Sequence, residues 1–310
     1  MNIESSTILV TGGAGFIGSC VTERLLSKGA EVHVADNLFT GKEKLVPDGA
    51  TFHEIDIRDP ELNSRVQKIN PNIIIHLVAI HYIPYCNENP KEAFEVNVMG
   101  TRNLLEAARE LNQIEKVVFA SSAAVYPPRE ESNAEDSTLG PMGIYGETKL
   151  IGEDLMKMYS QETGVSTVSA RLFNVYGPNE TNSHLIPAVV EPVQEGVRTI
   201  ELGNLTPKRD FVHVTDVARA LLTLVEGYEG EYRAYNVGTG EEHSVKEVVE
   251  KTSKAIDEDI EIEQDPERVR ESDRSHLRAD ISRIQTELGW SPTVSFVDGL
   301  RKLLDQEVIA

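Results

Sequence analysis

Along the first half of the chain the apolar positions alternate between two spacings. Short, nearly continuous apolar runs occur at residues 7–11 (TILVT), 31–35 (EVHVA), 52–57, 72–78 (NIIIHLV), 116–120 (KVVFA) and 166–172. Their length and β-branched content are those of strands covered on both faces. Between them, residues 16–27, 60–69, 91–111 and 146–159 carry apolar side chains three or four apart, as a helix does when it buries one side. Strands alternating with such helices predict an α/β, Rossmann-like doubly wound parallel sheet. After Asn174 the pattern shortens and residues 178–207 become rich in Pro and Gly. Strands are expected at 211–214 and 235–237. Helices are expected at 216–225 with Asp216 as cap, at 244–252 with Ser244 as cap, and at 281–288, stopped by Gly289. The change of texture predicts a first lobe of residues 1–173, to which 211–235 return. A smaller C-terminal lobe takes 174–210 and 236–310.

Composition narrows the partners. The chain has 310 residues, 40% hydrophobic and 26% charged, which suits a folded protein with a sizeable core. Acidic residues outnumber basic ones by 51 to 30, a net charge of −21. That argues against nucleic acid and anionic membrane as partners, while leaving room for a small anion held by a few arginines. Two cysteines, Cys20 and Cys86, give neither a disulfide framework nor a thiolate metal motif, so no metal is expected. The polar first residues and the lack of a long apolar run predict no signal segment and a cytoplasmic protein.

The chemistry starts at residues 11–18, TGGAGFIG, placed between a strand and a helix. Gly13, Gly15 and Gly18 have dinucleotide spacing: a tight turn, backbone close to a pyrophosphate, and close helix–strand packing. The helix N-terminus then faces the phosphates. Asp36 ends the second strand, 18 residues after Gly18. A carboxylate there accepts from both adenosine ribose hydroxyls and repels a 2′-phosphate, which favours NAD over NADP. Asp56 and Ile57 are candidates for holding adenine.

Tyr145 and Lys149 lie four residues apart at the start of a helix and so share a face. An ammonium beside a phenol favours the phenolate, so Tyr145 is expected to have a lowered pKa and to exchange a proton with an alcohol. Ser121 and Ser122 end the strand 116–120 at the carboxyl edge, where parallel sheets bind ligands. Ser122 is placed to hydrogen-bond the reacting oxygen.

These motifs, with NVMGT at 97–101, SSAAVY at 121–126, YGETK at 145–149, RLFNVYGP at 171–178, RDFVHVTDVA at 209–218 and YNVG at 235–238, run in one order over nearly the whole chain. In them the sequence resembles the extended short-chain dehydrogenases/reductases that act on nucleotide sugars. It is most similar to the NAD-dependent branch that inverts C4 of UDP-glucose and UDP-galactose. The resemblance implies NAD bound by Gly12, Gly15, Phe16, Ile17 and Gly18 at the turn, and by Asp36, Asn37, Asp56 and Ile57 at the adenosine. Ala79, Asn97, Tyr145 and Lys149 would complete that site. It implies Tyr145 as acid/base, Lys149 as its partner and Ser122 as the residue positioning the sugar oxygen. The nucleotide sugar would be held by Asn174, Arg209 and Arg270, with His81 and His184 near the hexose or nucleotide and Leu277 beside the sugar 2-position. It also implies a homodimer through the helices at 91–111 and 146–159.

Residues Ala123 and Ala124 bear on the reaction. A dehydratase needs an acid and a base after the catalytic hydroxyl, and alanines supply neither. Reversible hydride transfer remains: oxidation at C4 to a keto sugar, rotation, and return of hydride to the other face. Leucine at 277 leaves both plain and N-acetyl hexoses open. The alternatives are a UDP-glucuronate 4-epimerase, a nucleotide-sugar 4,6-dehydratase, and a non-catalytic NAD-binding regulatory protein, which would not need the Tyr–Lys pair.

Overall fold

The computed structural model describes residues 2–182, 184–266, 269 and 274–305. The chain runs through β1 (Thr7–Thr11), α1 (Phe16–Ser27), β2 (Glu31–Asp36), β3 (Thr51–Glu54), α2 (Leu62–Ile69) and β4 (Ile73–His76). It continues through α3 (Ile83–Glu88), α4 (Pro90–Phe94), α5 (Thr101–Arg109), β5 (Lys116–Ser122), α6 (Gly143–Thr163), β6 (Ser166–Leu172), β7 (Asn174–Tyr176) and α7 (Leu185–Gln194). Then come β8 (Thr199–Leu202), β9 (Lys208–His213), α8 (Val214–Gly227), β10 (Tyr232–Val237), β11 (Glu242–Ser244), α9 (Val245–Ile256), β12 (Glu261–Gln264), α10 (Ser282–Leu288) and α11 (Phe296–Leu304).

Seven parallel strands form one sheet in the order β3-β2-β1-β4-β5-β6-β10. Successive residues of a strand point to opposite faces, and here both faces are covered. Ile8, Val10, Ile73, Ile75 and Val118 pack with Val21 and Leu25 of α1 and with Val217, Leu221 and Leu224 of α8. Leu9, Ile74, Val117 and Phe119 pack on the other side with Val66 of α2, Leu104 and Leu105 of α5, and Met156 and Tyr159 of α6. That double cover is why the strands read as unbroken apolar runs.

The order of strands reverses between β1 and β4, so the loops after them diverge and leave a crevice at the carboxyl edge. A smaller lobe lies beyond it, with sheets β11-β9-β7 and β12-β8. Its own core includes Ile186, Val189, Phe211, Val248 and Leu300.

Several expectations are corrected. The helix anticipated over 91–111 is α4, a π-helical turn at Glu95–Gly100, and α5. The extra backbone atoms of a π turn rotate the residues within it, and Asn97 faces the sheet edge as a result. Asp216 does not cap α8. His213 does, its Nδ1 accepting from the Thr215 N–H. Asp216 instead accepts from the N–H groups of Thr293 and Val294, from Thr293 Oγ1 and from Arg219, so it anchors the tail segment. The third strand is shorter than 52–57, ending at Glu54. Leu277, Ala279, Ile281, Ile284 and Trp290, expected in the small lobe, pack in the core of the large sheet with β10 and α8. Segments with little periodicity, such as α7, β8 and β12, gave no sequence signal.

Candidate active site

The glycine turn forms where β1 meets α1. Gly12 has φ +76°, and a Cβ on it would sit 3.0 Å from the backbone nitrogen of Val78 in the loop after β4. A Cβ on Gly18 would lie 2.1 Å from the carbonyl oxygen of Gly12. Glycine is therefore required at both positions, one for the left-handed turn and one for helix–turn packing. Gly15 is the N-cap of α1 and offers no side-chain acceptor. The first-turn N–H groups of Phe16, Ile17 and Gly18 are left for an external anion, as a dinucleotide pyrophosphate requires. The residues present therefore fit NAD.

Asp36 ends β2, 7% exposed. Its carboxylate accepts from the Ala14 N–H at 3.1 Å and the Leu38 N–H at 2.9 Å. It thus holds the glycine turn as well as facing the crevice. Burial pushes its pKa up while those two N–H groups pull it down. Asp56 accepts from Asn37 Nδ2 at 2.7 Å and pairs with Arg58, whose Nη2 is 2.8 Å away. The hydrogen bond from Arg58 holds the Asp56 carboxyl down at about 2. Arg58 was missed in the sequence. Two residues after an acid, it looks like a surface charge, but its bonds to Asp56 engage the one arginine of that short loop.

Asn97, buried in the π turn, spends its amide on protein. Its Oδ1 accepts from the Ile80 N–H at 2.8 Å, and its Nδ2 donates to the Ile80 carbonyl at 2.9 Å and to Thr148 Oγ1 at 3.0 Å. It therefore fixes the loop carrying Ala79 and His81 against α6. His76, also missed, lies beneath that loop with Nδ1 2.7 Å from Thr11 Oγ1 and Nε2 2.9 Å from Thr101 Oγ1. Thr101 donates onward to the Asn97 carbonyl, so it accepts from His76 Nε2–H. Desolvation pushes the His76 pKa down to about 3.

The Ser–Tyr–Lys trio assembles at the end of β5. Ser122 leaves the strand and caps the short turn Ala123–Val125, its Oγ accepting from the Ala124 N–H at 3.1 Å. Its hydroxyl lies near enough to the Tyr145 phenol to ease ionisation of that phenol. Lys149, 3% exposed, donates to the carbonyl of Ala120 at 2.7 Å and lies 4.8 Å from the Phe119 ring and 5.9 Å from the Tyr145 ring. Its ordinary pKa is displaced by burial down to about 7. The expected lowering of Tyr145 is not what the structure shows: burial pushes it up to about 12, and the nearby Ser122 hydroxyl offsets only part of that. Desolvation of the phenolate outweighs a lysine whose Nζ faces the Ala120 carbonyl.

His81 and His184 meet across the cleft, ring centroids 6.1 Å apart. Asn182 Nδ2 donates to His81 Nε2 at 2.9 Å, and His184 Nδ1 faces the Glu180 carboxylate. Burial, with the neighbouring His184 charge, pushes His81 down to about 4, so it is neutral near pH 7. Asn174 starts β7 and pairs with Phe211 of β9. Arg209 on β9 donates to the carbonyls of Lys208 and of Arg274 at 2.8 and 2.7 Å. Arg270 lies outside the described residues. Leu277 is buried and its backbone pairs with Lys208 and Asp210. Asp210, unnoticed in the sequence, is buried and accepts from the N–H groups of Thr239, Gly240 and Ala279, pinning the strand that bears Arg209.

A glycine turn at the reversal point, an acid at the end of β2, and a Ser–Tyr–Lys trio at the end of β5 are the layout of a dinucleotide-dependent enzyme acting on an alcohol or ketone. The chain belongs to the NAD-dependent epimerase/dehydratase family, whose model matches residues 8–238. It is similar to a putative UDP-glucose 4-epimerase of Methanocaldococcus jannaschii, 34% identical over 303 residues, covering 96% of this chain and 97% of that one. Among solved structures it resembles the Thermus thermophilus UDP-glucose 4-epimerase in complex with NAD (TM-score 0.86, 35% identity, 96% and 97% of the two chains covered). It also resembles the Thermotoga maritima UDP-glucose 4-epimerase with UDP-glucose (TM-score 0.89, 29% identity, 96% and 97% covered). Among the described residues no helix is long and apolar enough to cross a membrane.

Proposed function

We propose that this protein is an NAD-dependent epimerase that inverts C4 of a UDP-hexose, interconverting the glucose and galactose configurations. The observation that carries the reading is the meeting of Ser122, Tyr145 and Lys149 at the edge of β5, next to a glycine turn with free N–H groups. NAD, held by residues 12–18 and Asp36, supplies the reversible hydride acceptor. Tyr145 takes the proton of the sugar 4-hydroxyl and later returns it, while Ser122 orients that oxygen. Lys149, buried beside them, supplies the positive charge that favours the phenolate as the site fills. Asn174, Arg209 and Arg270 hold the diphosphate, so the keto sugar can turn while its nucleotide stays bound.

Two observations favour a neutral hexose and simple inversion. His81 is held neutral, so it offers hydrogen bonds and no countercharge for a uronate carboxylate. Ala123 and Ala124 follow Ser122, so the acid–base pair that loss of water needs has no side chain there. Exposed Phe94, Met99 and Met158 on the helical segments between β4 and β6 support a homodimer.

Purified protein given UDP-galactose, UDP-N-acetylgalactosamine, UDP-glucuronate and dTDP-glucose separately is expected to invert C4 of the first without net release of NADH. Products would be resolved by chromatography or NMR. Water loss from any of them, or no epimer from all, would overturn the reading. A single species of one-chain mass in light scattering would remove the dimer.

A further inference from the structure

Beneath the trio lies a charged cluster that the proposed mechanism does not use. Glu153 stands one helical turn beyond Lys149 on α6 and is 3% exposed. Arg171 of β6, 4% exposed, grips it with two bonds, Nε to Oε1 at 2.9 Å and Nη2 to Oε2 at 2.7 Å. Ser121, whose Cα is the register partner of Arg171, donates its hydroxyl to Glu153 Oε1 at 2.5 Å. Tyr232 of β10 donates to Oε2 at 3.2 Å. Arg171 also donates from Nη1 to Tyr126 OH at 2.9 Å and to the Glu135 carbonyl at 3.0 Å. Tyr126 passes the chain on to Asn236 Oδ1 at 2.7 Å. One polar cluster therefore joins β5, β6, β10 and α6.

Stability gives no account of it. A buried ion pair loses most of its Coulomb energy to desolvation, and an apolar replacement is often neutral or better. Its placement does. Ser121 precedes Ser122, so the bond to Glu153 fixes the end of β5 from which Ser122 projects. The Glu153 charge also acts on Lys149. Around that ammonium, α6 supplies Glu153 and the Tyr145 ring, α3 supplies Cys86, β4 and its loop supply neutral His76 and His81, and β5 supplies the Ala120 carbonyl and Phe119. Arg171 lies behind Glu153 on β6. Glu153 is the one carboxylate among these groups. Both it and Cys86 raise the lysine's proton affinity against burial, but burial also pushes the Cys86 thiol up to about 11 and so leaves it uncharged at neutral pH.

We propose that Glu153, gripped by Arg171, is a positioning residue that keeps the Lys149 ammonium charged and aligns Ser122 through Ser121. The inference rests on the assignment of Lys149 and Ser122 to the reaction. Removing the carboxylate by Glu153→Gln leaves Lys149 facing an uncompensated Arg171 cation. Removing the cation by Arg171→Gln leaves a carboxylate that still receives Ser121 and Tyr232. A structural role would damage both variants alike, whereas the electrostatic role moves Lys149 in opposite directions.

The test is an NMR titration of Lys149 in full-length protein labelled with ¹³C at the lysine ε-carbon, with and without bound NAD. Its resonance would be assigned by Lys149→Met. Relative to the unsubstituted chain, Glu153→Gln is expected to lower the midpoint by about one pH unit and Arg171→Gln to raise it. No shift, or shifts of the same sign, would overturn the electrostatic part. Should either variant not fold, Ser121→Ala, which leaves the ion pair, is expected to lower kcat ~10-fold with KM unchanged. An unchanged kcat would overturn the alignment part. If the unsubstituted protein inverts no UDP-hexose, the functional reading fails on that assay, and the titration still judges the role of Glu153.

Discussion

Lys149 donates to the carbonyl of Ala120 at 2.7 Å, tying the helix that carries Tyr145 to the strand that ends in Ser122. The same bond turns the ammonium from the phenol toward the sheet. Burial here disfavours both the tyrosine's phenolate and the lysine's ammonium.

On the proposed mechanism Tyr145→Phe removes the group that exchanges the proton of the 4-hydroxyl. Turnover is expected to fall by about 10²–10⁴, the usual contribution of a positioned acid/base, with NAD still bound. Steady-state epimerisation together with cofactor absorbance in the purified variant checks both halves.

Gly18→Ala puts a methyl where only 2.1 Å separates its carbon from the Gly12 oxygen. Backbone is on both sides, so the turn must open. The expected cost is about 1–3 kcal/mol of stability and a loss of NAD binding. Urea unfolding and a cofactor-binding titration measure the two effects.

Stability should fall on acidification. His76 and His213 are buried and His81 is half-buried, and desolvation pushes their pKa values down to about 3, 4 and 4 in the order His76, His213, His81, so all three are neutral near pH 7. The unfolded chain takes up protons below about 6.5 where the native state does not. Stability is therefore full above that pH and declines until the folded-state values are reached. Urea midpoints at pH 7 and pH 5 test this, and the difference should shrink in His76→Asn.

Asp216→Ala strips four bonds from the start of α8, including the three that hold residues 293–294. The freed N–H groups lose a charged acceptor. A loss of about 1–3 kcal/mol is expected, and hydrogen exchange should rise first at residues 293–294.

Lys116 is buried, with its ammonium on the carbonyls of Leu224, Val225 and Tyr228 at the end of α8. Burial pushes its pKa down to about 8. Lys116→Met would take the side-chain donor from those carbonyls, of which that of Leu224 also accepts from the Tyr228 N–H, and thermal unfolding should show a lower Tm. Between about pH 8 and 10.5 the unfolded chain binds the extra proton, so this group makes the native protein more stable as pH rises.

The features legible in the residues alone are local ones. The strand runs around Ile8, Ile74 and Val118, the glycine turn, the Ser244 cap and the Tyr145–Lys149 spacing all depend on residues within a turn or two of each other. Ser244 caps α9 as expected, and the structure adds Glu247 to it in a capping box. Packing settled what depends on neighbours distant in the chain. Asp216 stopped being a cap because residues 293–294 brought two N–H groups to it, and Arg58 became a partner of Asp56. His81 met His184 because two lobes close on one cleft. The lysine expected to lower Tyr145 did not, because its charge depends on burial and on Glu153 and Ala120 around it. Sequence spacing sets which atoms can meet. The desolvation and the long-range partners that set their protonation arise only when the sheet and its helices are packed.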